Sequence, residues 1–496
     1  MELEIKPIAL SLLTRISDFL NQRGIQAYVV GGFVRDLLLA RETADIDIAL
    51  AGDALKAAPE LASALGGKFV ILDEANRVGR VLLDRKDRWQ IDLSTIEDGI
   101  EADLKRRDFT IDAMAISLGN LAGQPEGKPD IIDPFNGLED IQRRVVRATG
   151  GEVFSRDAVR LLRAMRLAAE LDFSISQQTE TMIRQNCQLI TGVAGERIRE
   201  ELLRLFRVGD TGQLLLYLDD LGLLTALIPE LAEARGVNQP QEHHWDVFNH
   251  SVKAVTAVDF LLRRGSWQYA GKEVLDFVPW SAQLARHFEL KVSGGSSRRL
   301  LLKLAALLHD IAKPQTRIIN PQGRTRFFGH PQQGAPIAAG ILKRLRFSGK
   351  EVKLVEAVVR YHLRPVQMGP EELPSRRAIY RYFRDTSDAA IDTMFFSLAD
   401  HLATRGPDLD LENWRQHAKI VDYVLGYRFK EETVVKPEKL ISGHDLIKHF
   451  DLSPGPKIGQ FLEAVREAQA AREVLSREDA LSYVDKLLVA ENKPAI

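Results

Sequence analysis

Short β-branched runs recur through the first third of this 496-residue chain and then stop. Strands need such runs, so any sizeable sheet must be built before about Asp157, and the remainder must be mostly helical. Ala27–Val30 reads as a strand running into Gly31-Gly32, and Phe33–Ala40 as a helix. Asp45–Leu50 alternates polar and apolar residues, the period of a strand. Asp53–Leu65 is an Ala/Leu helix ended by Gly66-Gly67. Lys68–Leu72, Val78–Leu83 and Arg88–Leu93 read as further strands. The expected fold class is α+β and multi-domain: an N-terminal α/β module with a mixed or antiparallel sheet, then mostly α-helical segments. The expected divisions are a head at 1–145, a helical neck at 146–235, a histidine-bearing block at 236–405 and a helical tail at 406–496. The weakest joints are Ala234–Glu242, Gly294–Ser297 and Met368–Pro374. In the tail, Ser476 with Asp479 three residues on marks a helix start.

Hydrophobic residues at 45% and charged residues at 27% exclude a disordered, collagen-like or disulfide-stapled chain. Lys and Arg number 67 against 69 Asp and Glu, so any site for a polyanion must be local. Cys187 is the one cysteine and cannot form an internal disulfide, which fits a reducing compartment. The start, MELEIKPIAL, lacks signal-peptide features, and no run approaches about 18 apolar residues. A cytoplasmic location and no membrane partner are expected. Nothing in the sequence sets an oligomeric state.

Asp45 and Asp47 stand at i and i+2 on an expected strand, which puts both carboxylates on one face. Adjacent carboxylates repel unless a cation lies between them, and a hard ion such as Mg²⁺ is the natural guest. Just upstream, Gly31 and Gly32 open a helix whose N–H groups suit an anion, and Arg35 lies one turn in. Metal-binding carboxylates beside an anion cradle are what nucleotidyl transfer requires.

These residues carry a resemblance. Gly31-Gly32-Phe33-Val34-Arg35-Asp36 followed by Asp45-Ile46-Asp47 resembles the first motif of the class II tRNA nucleotidyltransferases, the CCA-adding enzymes and related poly(A) polymerases. In order along the chain, Leu104–Ala113 (LKRRDFTIDA) resembles their R-R-D-F-T-I-N-A motif and Asp133–Gly137 their D-P-F-x-G motif. Asp157–Arg160 resembles the second half of E-D-x-x-R, and Glu196–Leu202 the last neck motif. The resemblance implies a polymerase-beta-like palm, Mg²⁺, CTP and ATP as nucleotides, and the tRNA 3′ end as acceptor. It implies that Asp45 and Asp47 are catalytic and hold the metal. It implies that Gly31, Gly32, Arg35, Arg106, Arg107, Asp108, Asp157, Arg160 and Arg163 bind the nucleotide. Arg106 also reads as part of a solvated charge run. Asp92 is either a third carboxylate or a structural hydrogen-bonding group. Two residues depart from the pattern: Asp112 replaces an Asn, and Arg156 replaces a Glu.

Asp157 and Arg160, at i and i+3, are expected to share a helix face. A carboxylate accepting amino protons beside a guanidinium donating to a ring nitrogen selects cytosine and adenine over uracil and guanine. The segment 141–166 holds seven arginines against two acids, a local patch suited to a phosphate backbone. Only Ser94–Asp103 separates the Asp92 strand from R-R-D. A short connection of this kind resembles relatives that add only CC or only A.

Eight of the eleven histidines lie between His243 and His401. His250, His309-Asp310, His330, His362 and Asp400 follow the order H…HD…H…H…D, which resembles the HD phosphohydrolase superfamily. The resemblance implies a divalent metal at these six residues and hydrolysis of phosphoesters. His243, His244 and His401 are ordinary histidines or stand-ins for one ligand. Gly455 and Lys457 suit either a phosphate at a helix start or simple capping. The leading expectation is a template-independent enzyme adding C, A or both to tRNA. The alternatives are a poly(A) polymerase, an HD nucleotide hydrolase with a degenerate front domain, and a non-catalytic tRNA-binding module.

Overall fold

The computed structural model describes residues 5–83, 89–123, 130–368, 373–430 and 432–491. Arg88 and residues 369–372, which fell within an expected strand and an expected joint, lie outside them. The chain divides into two compact units, Met1–Val193 with Asp220–Leu227, and Ala194–Asp219 with Ile228–Ile496.

The first unit is built on a seven-stranded sheet. In chain order its strands are β1 (Ala27–Val30), β2 (Asp45–Leu50), β3 (Lys68–Asp73), β4 (Val78–Leu82), β5 (Gln90–Thr95), β6 (Ala115–Ser117) and β7 (Ile131–Ile132), and they lie in the order β3-β4-β5-β2-β1-β6-β7. Only β2 and β5 run parallel, and every other pairing is antiparallel. Along β2 the polar-apolar alternation decides which way the strand faces. Ile46 and Ile48 are fully buried while Asp45 and Asp47 turn to the other side. On β5, Ile91 and Leu93 are likewise fully buried. Each such side chain contributes about 1.5–3 kcal/mol of burial.

Helix α1 (Pro7–Asn21) precedes the sheet, and α2 (Gly32–Leu38) continues from β1 through Gly31. Helix α3 (Ala54–Leu65) covers β3, β4 and β5. Asp53 caps α3 by accepting from the Leu55 and Lys56 N–H groups, and Gly66, left-handed at φ +71°, ends it. Helix α4 (Ile100–Arg106) comes after β5 and the link Ile96–Gly99. Strands β6 and β7 follow it, and among the described residues after β7 the unit is helical apart from one short parallel pair, Val145–Val146 with Ser174–Ile175; Arg160–Leu171 and Gln177–Asn186 are its longer helices.

The second unit packs helices Val247–Leu261, Arg298–Leu308, His330–Arg344, Gly349–Tyr361 and Ala390–Arg405 against one another. Gly294–Ser297, expected as a joint, belongs to a small hairpin of Lys291–Ser293 with Ser296–Ser297, where Gly295 sits at φ +110°. The loop Ala234–Glu242 lies within this unit. The tail has its own core around Leu446, Phe461, Val465 and Val484. Ser476 and Asp479 bond each other's backbone N–H groups, which starts the last helix, Arg477–Glu491. Among the described residues no helix is long and apolar enough to cross a membrane.

Candidate active site and second metal centre

In the first unit the parallel register sets Asp47 directly beside Asp92, so both share a face with Asp45. Burial pushes the Asp47 carboxyl up to about 6, Arg107 opposes that, and Asp92, Asp112 and Asp45 add to it. A carboxylate that burial makes costly to ionise, beside two others, is an environment a divalent cation fits. Asp92 is not an open ligand. Arg80, opposite it on β4, grips both its oxygens at 2.6 and 2.7 Å. Sequence reasoning missed Arg80, although its cross-strand position is the signal once the β4–β5 register is known.

Gly31 is required here twice over. Its φ is +68°, and a Cβ would come within 2.6 Å of the Arg107 guanidinium and 3.3 Å of an Asp47 oxygen. The turn therefore lets backbone, arginine and carboxylate converge. Gly32 begins α2, against the Arg35 side chain. Arg35 donates to Asp36 at 2.9 Å and to Asp112 at 2.7 Å. Asp112, which departs from the motif's Asn, is thus the ion-pair partner of Arg35. Burial raises the Asp112 carboxyl and Arg35 opposes the rise.

Arg107 pairs with Asp103 at 3.1 Å, and Arg106 is exposed and pairs with the same acid at 3.4 Å. Asp108 is buried, accepts from Arg163 at 2.8 Å and faces its own chain through the Phe109 N–H. The neighbouring segment Asp133–Gly137 supports this one. Asp133 accepts from the Gly137 and Leu138 N–H groups, and a Cβ at Gly137 would strike the Thr110 carbonyl at 2.3 Å.

The expected shared helix face of Asp157 and Arg160 is corrected. Asp157 is extended, at φ −153°, and ends the short helix Val153–Arg156, while Arg160 opens the next helix. The two residues flank a turn in which the Arg160 N–H bonds the Asp157 carbonyl. An Asp before a helix start competes for backbone N–H groups, and its side chain accepts from Val159, so the periodic spacing was a start signal. Arg160 donates to the Val153 and Arg106 carbonyls, and its buried Nε has no partner among the described residues. Arg156, in the place of the family's Glu, is exposed and pairs with Glu152 at 2.7 Å.

In the second unit all six expected residues of the HD pattern converge. His250 and His309 face each other at 3.1 Å between Nε2 atoms, and His330 and His362 at 3.2 Å. Asp310 lies between the pairs. Its Oδ2 is 3.0 Å from His309 and 3.5 Å from His250, and its Oδ1 is 3.2 Å from His330 and 3.8 Å from His362. Asp400 is 3.1 Å from His250. The Nδ1 atoms of His309, His330 and His362 donate to the carbonyls of Ala306, Phe327 and Val359, each three residues back. That fixes the tautomer and leaves Nε2 lone pairs turned inward, the arrangement metal-ligating histidines use. Burial pulls the His309 imidazole down, but Asp310 and Asp400 push it up to about 10, a proton standing where a cation fits. Lys313, one turn after Asp310, is 2.6 Å from its Oδ2 and donates to Gln239. Of the stand-ins, His243 packs edge-on against His250, His244 pairs with Asp408, and His401 stacks on His417.

Comparison with known proteins gives these sites a context. A poly A polymerase head-domain family matches residues 27–147, a polymerase A RNA-binding model 172–235, the HD domain 280–405, and a second tRNA nucleotidyltransferase domain 408–484. An A-adding tRNA nucleotidyltransferase of Deinococcus radiodurans is 33% identical over 466 residues, 93% of this chain and 95% of that protein. A CC-adding tRNA nucleotidyltransferase of Thermus thermophilus is 33% identical over 469 residues, 92% and 93% of the two chains. The fold is similar to that of a Thermotoga maritima CCA-adding enzyme solved with tRNA, at TM-score 0.59 and 21% identity, covering 98% of this chain and 97% of that one. The chain belongs to the tRNA nucleotidyltransferase family.

Proposed function

We propose that this chain extends tRNA 3′ ends with C or A from CTP or ATP, without a nucleic-acid template. The observation that carries it is the meeting of Asp47 and Arg107 at the Gly31 turn, with Asp45 on the same strand face as Asp47. Magnesium, when bound by Asp45 and Asp47, would activate the 3′ hydroxyl and neutralise the leaving pyrophosphate. Gly31 and Gly32 offer backbone to the triphosphate, Arg35 and Arg107 offer guanidinium groups, and Arg106 lies at the rim. Asp108, held by Arg163, is in this reading the carboxylate that meets the ribose hydroxyls. Asp157 and Arg160 read the base edge from opposite ends of their turn. A cytoplasmic setting suits tRNA as substrate.

We further infer that the chain performs part of the CCA sequence. The link from β5 to α4 is only Ile96–Gly99, and the Deinococcus and Thermus relatives, matched along most of their length, are an A-adding and a CC-adding enzyme. The test is extension of one tRNA ending at the discriminator base, at +C and at +CC, with each nucleotide in turn. Growth that halts after two C, or that begins only at +CC, supports the reading. A complete CCA from the bare discriminator contradicts partial addition, and untemplated A tails on any RNA contradict tRNA as substrate.

The second centre favours a separate activity. Asp310, with one oxygen toward each histidine pair, suits one or two divalent ions held by His250, His309, His330, His362 and Asp400. When bound, such ions supply a water nucleophile for phosphoester hydrolysis. Lys313 beside Asp310 is placed to orient a phosphate oxygen.

A further inference from the structure

Strand β4 faces two ways. Gly79 and Val81 are buried, and a Cβ at Gly79 would come within 2.9 Å of the Phe69 ring and 3.0 Å of the Ala58 methyl on α3. That packing turns Arg80 to the opposite face of the sheet, the one that carries Asp92, Asp47 and Asp45. Across this face the register sets Arg80 beside Asp92, and Asp92 beside Asp47. Asp92 therefore stands between a guanidinium on β4 and another carboxylate on β2.

The three acids meet different neighbours. Arg80 holds Asp92 fork on fork, Nε to Oδ1 at 2.6 Å and Nη2 to Oδ2 at 2.7 Å. This fixes the plane of the carboxylate and turns both its oxygens toward β4, away from β2. The pair is half-buried, where screening is weaker than at an open surface. Arg107, near Asp47, is instead engaged by Asp103 at 3.1 Å. Among the described residues neither the Asp45 nor the Asp47 carboxylate has a hydrogen-bond or ion-pair partner. Two open carboxylates thus share the face with one that is closed. The affinity of an oxygen site for a divalent ion rises with the number of charged ligands. Without the arginine, Asp92 would be a third ligand in register with Asp47, and the site would hold its ion before any nucleotide arrived.

We infer that Arg80 is a positioning residue for nucleotidyl transfer: it withholds Asp92 from the cation at Asp45 and Asp47, so that the ion is held firmly only together with a nucleotide. The inference rests on Asp45 and Asp47 being that cation's ligands. Its test is manganese titration of the full chain without nucleotide, followed by electron paramagnetic resonance. A His309→Ala parent keeps the histidine centre out of the signal. We expect R80Q to bind manganese at least about tenfold more tightly than the parent, and R80Q/D92N to return to within about threefold of it. The gain in R80Q persists at about 0.5 M salt, where a charge acting through solvent is largely screened. R80K keeps the charge but offers one ammonium in place of the fork, and gains about threefold. It carries the test should R80Q lose its fold. Parent affinity in R80Q, or in R80K where that variant carries the test, overturns the inference. So does a gain that survives in R80Q/D92N, which would make the arginine act through its own charge, or one that vanishes at high salt. Nucleotide-dependent manganese binding that survives D45N/D47N removes the underlying reading instead.

Discussion

The two metal-ready sites of this chain are built in opposite ways. In the first unit the proposed ligands are two carboxylates at one strand end, Asp45 exposed and Asp47 half-buried, drawn together within a few residues of sequence and backed by a glycine turn. In the second, the proposed ligands, spread from His250 to Asp400, meet in a buried helical core, and backbone carbonyls orient three of the imidazoles. An open oxygen site suits a labile ion that arrives with a nucleotide. A closed nitrogen-rich site suits a resident ion. The lesson is that accessibility, more than ligand count, separates an ion that turns over with substrate from one that stays.

The largest expected effect is a double dissociation. Asp45→Ala abolishes nucleotide addition, by at least about 10³-fold, and leaves metal at the histidine centre untouched. His309→Ala lowers metal retained after dialysis, read by elemental analysis, and leaves addition within about twofold of wild type. If His309→Ala also stops addition, the two sites are not independent and the comparison fails.

A smaller loss, about 10²-fold in addition, is expected for Gly31→Ala, because its Cβ meets Arg107 and its φ is strained. Steady-state kinetics checks it, and wild-type rates in this variant contradict the convergence on the turn.

Asp47 gives the comparison a pH test. Its folded pKa lies above the ordinary carboxylate value, at about 6, so the fold disfavours the ionised form. That cost is present above about pH 6 and disappears below about pH 4, where the folded and unfolded forms are both protonated. Metal-free Asp47→Asn is therefore expected to be more stable than wild type at pH 8, by about 1–2 kcal/mol, and equal to it at pH 4. Denaturant melts at both values read this out. Addition by the wild type falls as pH drops through about 6, because protons then compete with the cation.

Much of the first site was legible in the sequence, and for a local reason. Strand period placed Asp45 and Asp47 on one face, and the glycine pair marked the turn. The parts that stayed hidden depend on pairing across the sheet or between loops: Arg80 on Asp92, and Asp112 on Arg35. Asp157 was misread because the spacing of a helix face and that of a helix start coincide there. The second site was legible only as an ordered pattern. Its split around Asp310, and Lys313 and Gln239 beside it, emerge from packing.

A further, smaller effect bears on the first site alone. Asp112→Asn frees Arg35 from one of its two carboxylates. We expect KM for CTP or ATP to fall by about three- to tenfold and pyrophosphate to inhibit more strongly, with little change in kcat. An unchanged KM means that Arg35 does not serve the triphosphate. Smallest is Ser476→Ala in the tail, expected to cost about 1 kcal/mol of stability with no change at either site.

Manganese titration monitored by electron paramagnetic resonance, on the His309→Ala background with CTP present, tests the cation at Asp45 and Asp47 without relying on turnover. We expect nucleotide-dependent manganese binding that Asp45→Asn/Asp47→Asn removes while the chain stays folded. Equal manganese binding in the presence and absence of those two carboxylates would contradict it.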